Sequence, residues 1–161
     1  MDQEIFLKAK TLAYQLLARR SRSVQELQHK LLAHHIPPEI SSRVIRDLKK
    51  SRYLNDEDYA RTWAQNRLNV KAYGPQRIEQ ELFHKGIPPE VVEKVTSEIY
   101  SNVDLVELAK KALRRKGERT DWDRKTRQRL YSYLRRRGFP TDIIQQILSS
   151  GNENPTEGHS S

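Results

Sequence analysis

The phrase GIPPEVVEKV, residues 86–95, occurs three times in altered spelling: HIPPEISSRV at 35–44 precedes it and GFPTDIIQQI at 138–147 follows. The apolar residues before the first proline, Ile36, Ile87 and Phe139, stand 51 and then 52 residues apart. A recurrence at that period means one small unit used repeatedly, and it constrains the fold more than any other feature of the chain. Aligned on those residues, Leu31, Leu82 and Leu134 come five earlier, and Leu27, Ile78 and Leu130 nine earlier. Ile40, Val91 and Ile143 come four later, and Val44, Val95 and Ile147 eight later. Steps of four are helical steps, so each copy has one amphipathic helix ending before the proline and another starting after it.

Proline makes the break, because it lacks the amide donor of a helix interior but suits a first turn. Glu39, Glu90 and Asp142 then fall in that turn, at the positive end of the helix dipole. Gly86 and Gly138 end the preceding helix, where a left-handed cap favours glycine, and His35 holds that place in the first copy. Upstream of each pair the spacing predicts a further helix, over residues 5–20, 56–70 and 103–116, with Asn55 or Asp56 and Asn102 or Asp104 as caps. The reading is all-α: three tandem three-helix repeats, 1–54, 55–101 and 102–148, stacked into an elongated, curved array, with a disordered tail at 149–161. Tyr59, Trp63, Leu82 and Ile87 are read as core from their spacing, and Tyr131 as core beside Leu130 and Leu134.

Charge is unevenly placed. The net formal charge is +9, yet residues 110–137 carry 13 Lys/Arg against three acids, so the remainder is close to neutral at −1. Such a block, interleaved with Trp122, Tyr131 and Tyr133, fits a surface that tracks phosphates without reading bases. A helix-turn-helix reader is disfavoured, because the helix after the proline is acidic or neutral in the second and third copies. No cysteine is present, which removes disulfides and thiol chemistry. The chain has no phosphate-cradling, zinc-protease or nucleophile-elbow motif, and His29 and His34 are spaced poorly for a shared metal. The acidic run 55–58 is read as helix capping. No enzyme, cofactor or metal site is expected, and the N-terminus reads as neither signal peptide nor membrane anchor, giving a cytoplasmic, monomeric protein.

The runs SRYLNDEDYARTWAQNR (51–67), YGPQRIEQELFHKGIPPEVV (73–92) and LRRRGFPTDII (134–144) together resemble the bacterial RecX family of recombination regulators, in order and spacing from about Thr11 to Leu148. The resemblance implies three tandem three-helix repeats and a non-enzymatic regulator of the RecA recombinase. Members bind the RecA–DNA filament along its groove. They restrain filament growth, ATP hydrolysis, strand exchange and coprotease activity, and so modulate recombination, DNA repair and the SOS response. His35 for Gly and PTD for PPE are this chain's departures. The surface expected to meet DNA or filament is Lys110, Lys111, Arg114, Arg115, Arg124, Lys125, Arg127, Arg135, Arg136 and Arg137. A separate recombinase contact is expected at Arg67, Lys71, Tyr73, Gln76 and Arg77. The alternative is a general architectural protein binding single- and double-stranded DNA without sequence preference.

Overall fold

Proline and glycine punctuate the helices as the repeated phrase requires. The computed structural model describes residues 1–118 and 121–150, and among these there are nine helices and no strand. They are α1 (Asp2–Arg19), α2 (Val24–Ala33), α3 (Pro38–Lys50), α4 (Asp56–Lys71), α5 (Pro75–His84), α6 (Pro89–Tyr100), α7 (Leu105–Arg115), α8 (Arg124–Arg136) and α9 (Thr141–Ser150). The first turns are capped by side chains: Ser23 for α2, Asn55 for α4, Asp104 for α7 and Asp123 for α8. Gly86 and Gly138 take the left-handed conformation at φ 75° and 91°. His35 adopts the same conformation at φ 62°, so the first copy keeps the turn despite its different residue.

By its contacts the chain forms two compact units, residues 1–63 with 81–95 and residues 64–80 with the described part of 96–161. The division runs through α4, α5 and α6 rather than between repeats. In the first unit α1, α2 and α3 pack mutually around Phe6, Leu27, Leu31, Val44 and Leu48, with Ala9 and Ala13 on the inner face of α1. The α5–α6 turn docks on the start of α2. Ser23 Oγ accepts from the Glu26 N–H and donates to the Lys85 carbonyl at 2.5 Å, while Val24 N–H donates to Asp56 Oδ1 at 2.9 Å. Tyr59 donates its hydroxyl to Glu26, 3.2 Å away, and burial together with that carboxylate pushes the phenol up to about 12.

In the second unit α9 packs on α7 and α8 around Leu113, Trp122, Leu130, Leu134, Phe139 and Ile144. Its turns dock in the same manner as those of the first unit. Gly74 N–H donates to the Arg137 carbonyl at 2.8 Å and Gln76 N–H to the Gly138 carbonyl at 3.1 Å, so the α8–α9 turn caps the start of α5. Tyr100 donates to the Tyr73 carbonyl at 2.5 Å, and burial raises its phenol above the ordinary range, with Glu79 adding to the effect.

Four details differ from the sequence reading. Val91 and Ile143 are only half-buried, and the inner face of each third helix is centred one residue later, on Ser41, Val92 and Ile144. Those positions lie three residues before Val44, Val95 and Ile147, the spacing that keeps side chains on one helix face. Trp63 is half-buried rather than core, because its indole N–H reaches out to Glu81 at 2.9 Å and Lys85 lies over its ring. Tyr131, too, is half-buried at the core's edge. Finally α9 runs through Ser149 and Ser150, and the rest of the tail assigned as disordered, 151–161, lies outside the described residues.

Candidate functional site

Helix α7 turns Ala109, Ala112 and Leu113 inward, which leaves Lys111, Arg114 and Arg115 on its exposed side. Helix α8 buries Leu130 and Leu134, and Lys125, Arg129 and Arg136 run along one exposed stripe at helical spacing. Arg129 is engaged with Glu118 at 2.9 Å. Arg124 is exposed at the first position of α8, next to the capping carboxylate of Asp123. Hydrogen bonds from the side chain and backbone of Thr126 hold that carboxyl below its ordinary range. Lys110 is half-buried beside Glu107 at 3.5 Å, and Arg127 is half-buried on α8.

Three arginines, Arg115, Arg135 and Arg137, bond to the chain itself. Arg115 Nη1 donates to the Val70 carbonyl at 3.0 Å and Arg137 donates to the Lys71 carbonyl. These are the last two carbonyls of α4, so two guanidiniums stand at the negative end of that helix and satisfy acceptors its own ladder cannot. Arg135 donates to Gln76 Oε1 at 3.1 Å. Cations and rings then alternate. Lys116 lies 4.0 Å from the centre of Tyr133, Arg137 lies between Tyr133 (5.4 Å) and Tyr73 (4.9 Å), and Arg77 lies 5.2 Å from Tyr73. Each such pair is worth about 0.5–1 kcal/mol at an exposed site, so the ladder fixes its members well.

The two groups that the sequence reading kept apart therefore meet inside one unit. Arg115, Arg135 and Arg137 hold the α4–α5 turn through Val70, Gln76 and Lys71 with Tyr73 respectively, with Arg77 at the end of the ladder and Arg67 half-buried one turn before Lys71. Lys111, Arg114, Arg124, Lys125 and Arg136 are exposed. Lys116 was absent from the expected set, although it lies 4.0 Å from the Tyr133 ring; the i, i+4 pair Tyr133 and Arg137 was the legible sign of a ring and cation on one face. Among the described residues no cluster of ligating side chains could hold a metal, and no helix is long and apolar enough to cross a membrane.

Comparison with known proteins places these features in context. Residues 9–48, 55–95 and 103–148 match the family models described as the first, second and third three-helix domains of RecX. The regulatory protein RecX of Clostridioides difficile (strain 630) is 30% identical over 152 residues, covering 92% of this chain and 70% of its own length. That of Geobacillus thermodenitrificans (strain NG80-2) is 29% identical over 153 residues, and there the match spans only 56% of the relative's length. A crystal structure of RecX from Lactobacillus salivarius superposes with a TM-score of 0.78 at 26% identity, over 92% of this chain and 97% of that one. A second crystal structure, of a regulatory protein RecX, gives 0.78 at 22% identity over 73% of that chain, and bears on the fold alone.

Proposed function

The chain belongs to the RecX family, and on that premise we propose that it is a non-enzymatic regulator of a RecA recombinase. It binds the recombinase–DNA filament and restrains filament growth, ATP hydrolysis, strand exchange and coprotease activity, modulating recombination, repair and the SOS response. It acts in the cytoplasm as a monomer, with repeat boundaries at 1–54, 55–101 and 102–148. The observation that carries this reading is the set of exposed cations on α7 and α8, Lys111, Arg114, Arg124, Lys125 and Arg136, borne on helices whose neighbouring arginines are tied down. Exposed cations gain affinity for a phosphate backbone by releasing counterions, whereas tied ones keep the surface rigid.

The same cations support the second reading, a general DNA binder without a recombinase partner, and one titration separates the two. ATP hydrolysis by a RecA recombinase on single-stranded DNA is followed while this protein is added from far below stoichiometric amounts, with its direct DNA binding measured in the same buffer. Inhibition at doses too small to coat the DNA is the expected result. Inhibition only on saturated DNA, or none, leaves the general binder.

A further inference from the structure

Away from the basic third repeat, the first compact unit carries a hollow of about 540 Å³ that the proposed function does not use. It is bounded by the second half of α1, the α1–α2 loop, the α3–α4 turn and the first turns of α4. Tyr14, Leu17, Tyr53 and Tyr59 give it aromatic and apolar walls, and Arg22 and Arg52 bring two guanidiniums. Tyr53 is 60% exposed and meets Tyr14, 37% exposed, edge to face at 5.0 Å, so a fixed pair of rings is left in water. Leu7, 55% exposed, lies seven residues before Tyr14 and so on the same side of α1, which lengthens the apolar strip. Arg52 holds φ 61°, a strained choice at a position where glycine would make the turn freely, and the turn sets Arg52 and Tyr53 together on the hollow's wall.

A second hollow, of about 340 Å³, shares Arg22 and adds Arg20, His29 and Lys30 around Glu26. Glu26 is already engaged by Arg20 at 3.0 Å and Lys85 at 3.4 Å. The first hollow has one carboxylate, Asp58, with Arg61 at 3.6 Å. Adjacent apolar and cationic hollows joined by one arginine call for an occupant that is apolar at one point and anionic on both sides of it.

We propose that these hollows bind an acidic polypeptide segment carrying one large apolar residue, which enters beside Tyr14, Leu17 and Tyr53 while the flanking carboxylates meet Arg52 on one side and Arg22 with Lys30 on the other. A polypeptide fits better than a nucleic acid because the strip through Leu7 and Leu17 offers apolar surface from which a sugar–phosphate backbone gains little, and because Asp58 can accept a peptide N–H, a donor that a phosphate backbone lacks. The site goes beyond the regulatory reading and needs neither recombinase nor DNA, so either can fail alone.

The probe is a fluorescein-labelled dodecapeptide of Asp and Glu with one central Leu, titrated with the full chain by fluorescence anisotropy. The same peptide with Ser for Leu and an oligo-dT of equal length serve as comparisons. The Leu peptide is expected to bind at least about tenfold more tightly than the Ser peptide. Arg52→Asn, which accommodates the left-handed backbone and should melt no lower than wild type, and Tyr53→Ala, checked to be folded by circular dichroism, should each weaken it about fivefold or more. Ala18→Trp, at an exposed position on the hollow's wall, deletes no contact and should block binding by filling the space. Equal binding of the Leu and Ser peptides overturns the proposal, as does indifference to Arg52→Asn and Ala18→Trp. So does a loss of oligo-dT binding in these variants as large as the peptide's, which would make the hollow a nucleic-acid track.

Discussion

At position 35 a histidine holds φ 62°, the conformation that the other two copies give to glycine. The difference lies in what stands opposite. A Cβ on Gly86 would fall 1.8 Å from Gln25 Oε1, and one on Gly138 would fall 2.1 Å from the backbone nitrogen of Arg77, whereas the His35 side chain is exposed. Only the backbone strain is left at 35, and His35→Gly is expected to stabilise the protein by about 0.5–1 kcal/mol, since relief of the left-handed conformation exceeds glycine's entropy cost. A rise in melting temperature of about 2 °C would register it. Asp56 gives a test by pH. Burial raises its carboxyl above the ordinary range against the lowering effects of the Val24 N–H and Lys49. A group whose folded pKa exceeds its unfolded value binds its proton more tightly when folded, so ionised Asp56 detracts from stability at neutral pH and ceases to do so as pH falls through the folded value. Asp56→Asn keeps an acceptor for Val24 and should melt higher than wild type at pH 7, with the advantage shrinking as the pH enters the carboxylate range. Such residues were half legible. The glycines announced themselves by position, but the depth at which Asp56 sits depends on the α1–α2 loop and could not be read from a run of acids.

Among elements, the repeated phrase has two tasks, and periodicity disclosed one. Leu27, Leu31, Ile78, Leu82, Leu130 and Leu134 are all buried, as their spacing requires. Ala9 with Ala13 and Ala60 with Ala64 obey the same 51-residue interval and are fully buried, yet a scan for large apolar residues passes over them because their contribution is close approach rather than bulk. The second task, docking a turn on the helix start of the preceding repeat, joins Lys85 to Ser23, Arg137 to Gly74 and Gly138 to Gln76, and no local pattern encodes partners that distant. The two docking turns should respond differently to the same change. Gly86→Ala meets the end of the Gln25 side chain, which can rotate away, but also Gln25 Cβ at 2.6 Å, which cannot, so a small shift of the turn adds to the backbone strain and the change should cost about 2 kcal/mol. Gly138→Ala meets the Arg77 backbone, which cannot move without breaking the Gly74 and Gln76 hydrogen bonds, and should cost about 3 kcal/mol or more. Urea unfolding of the two variants side by side decides the order.

For the molecule as a whole, the net charge of +9 located the basic segment but did not show which of its cations bond to the chain itself. Arg115, Arg135 and Arg137 serve the fold, and what distinguishes them from Arg114, Arg124 and Arg136 is only which carbonyl or amide lies within reach. Salt dependence separates the two classes. If Lys111, Arg114, Arg124, Lys125 and Arg136 each neutralise one phosphate, log K for single-stranded DNA should fall against log salt with a slope of about −3.5. Replacing any one of the five by Gln should reduce that slope by about 0.7 and leave the melting temperature unchanged. Arg137→Gln should do the reverse. It removes a cap on α4 and the centre of the ring ladder, so it is expected to cost about 1–2 kcal/mol of stability, while the slope, measured well below the melting transition, stays near the wild-type value. A slope that shifts as much for Arg137→Gln as for Lys125→Gln would place Arg137 on the phosphate surface after all and make the ladder a ligand site rather than a joint.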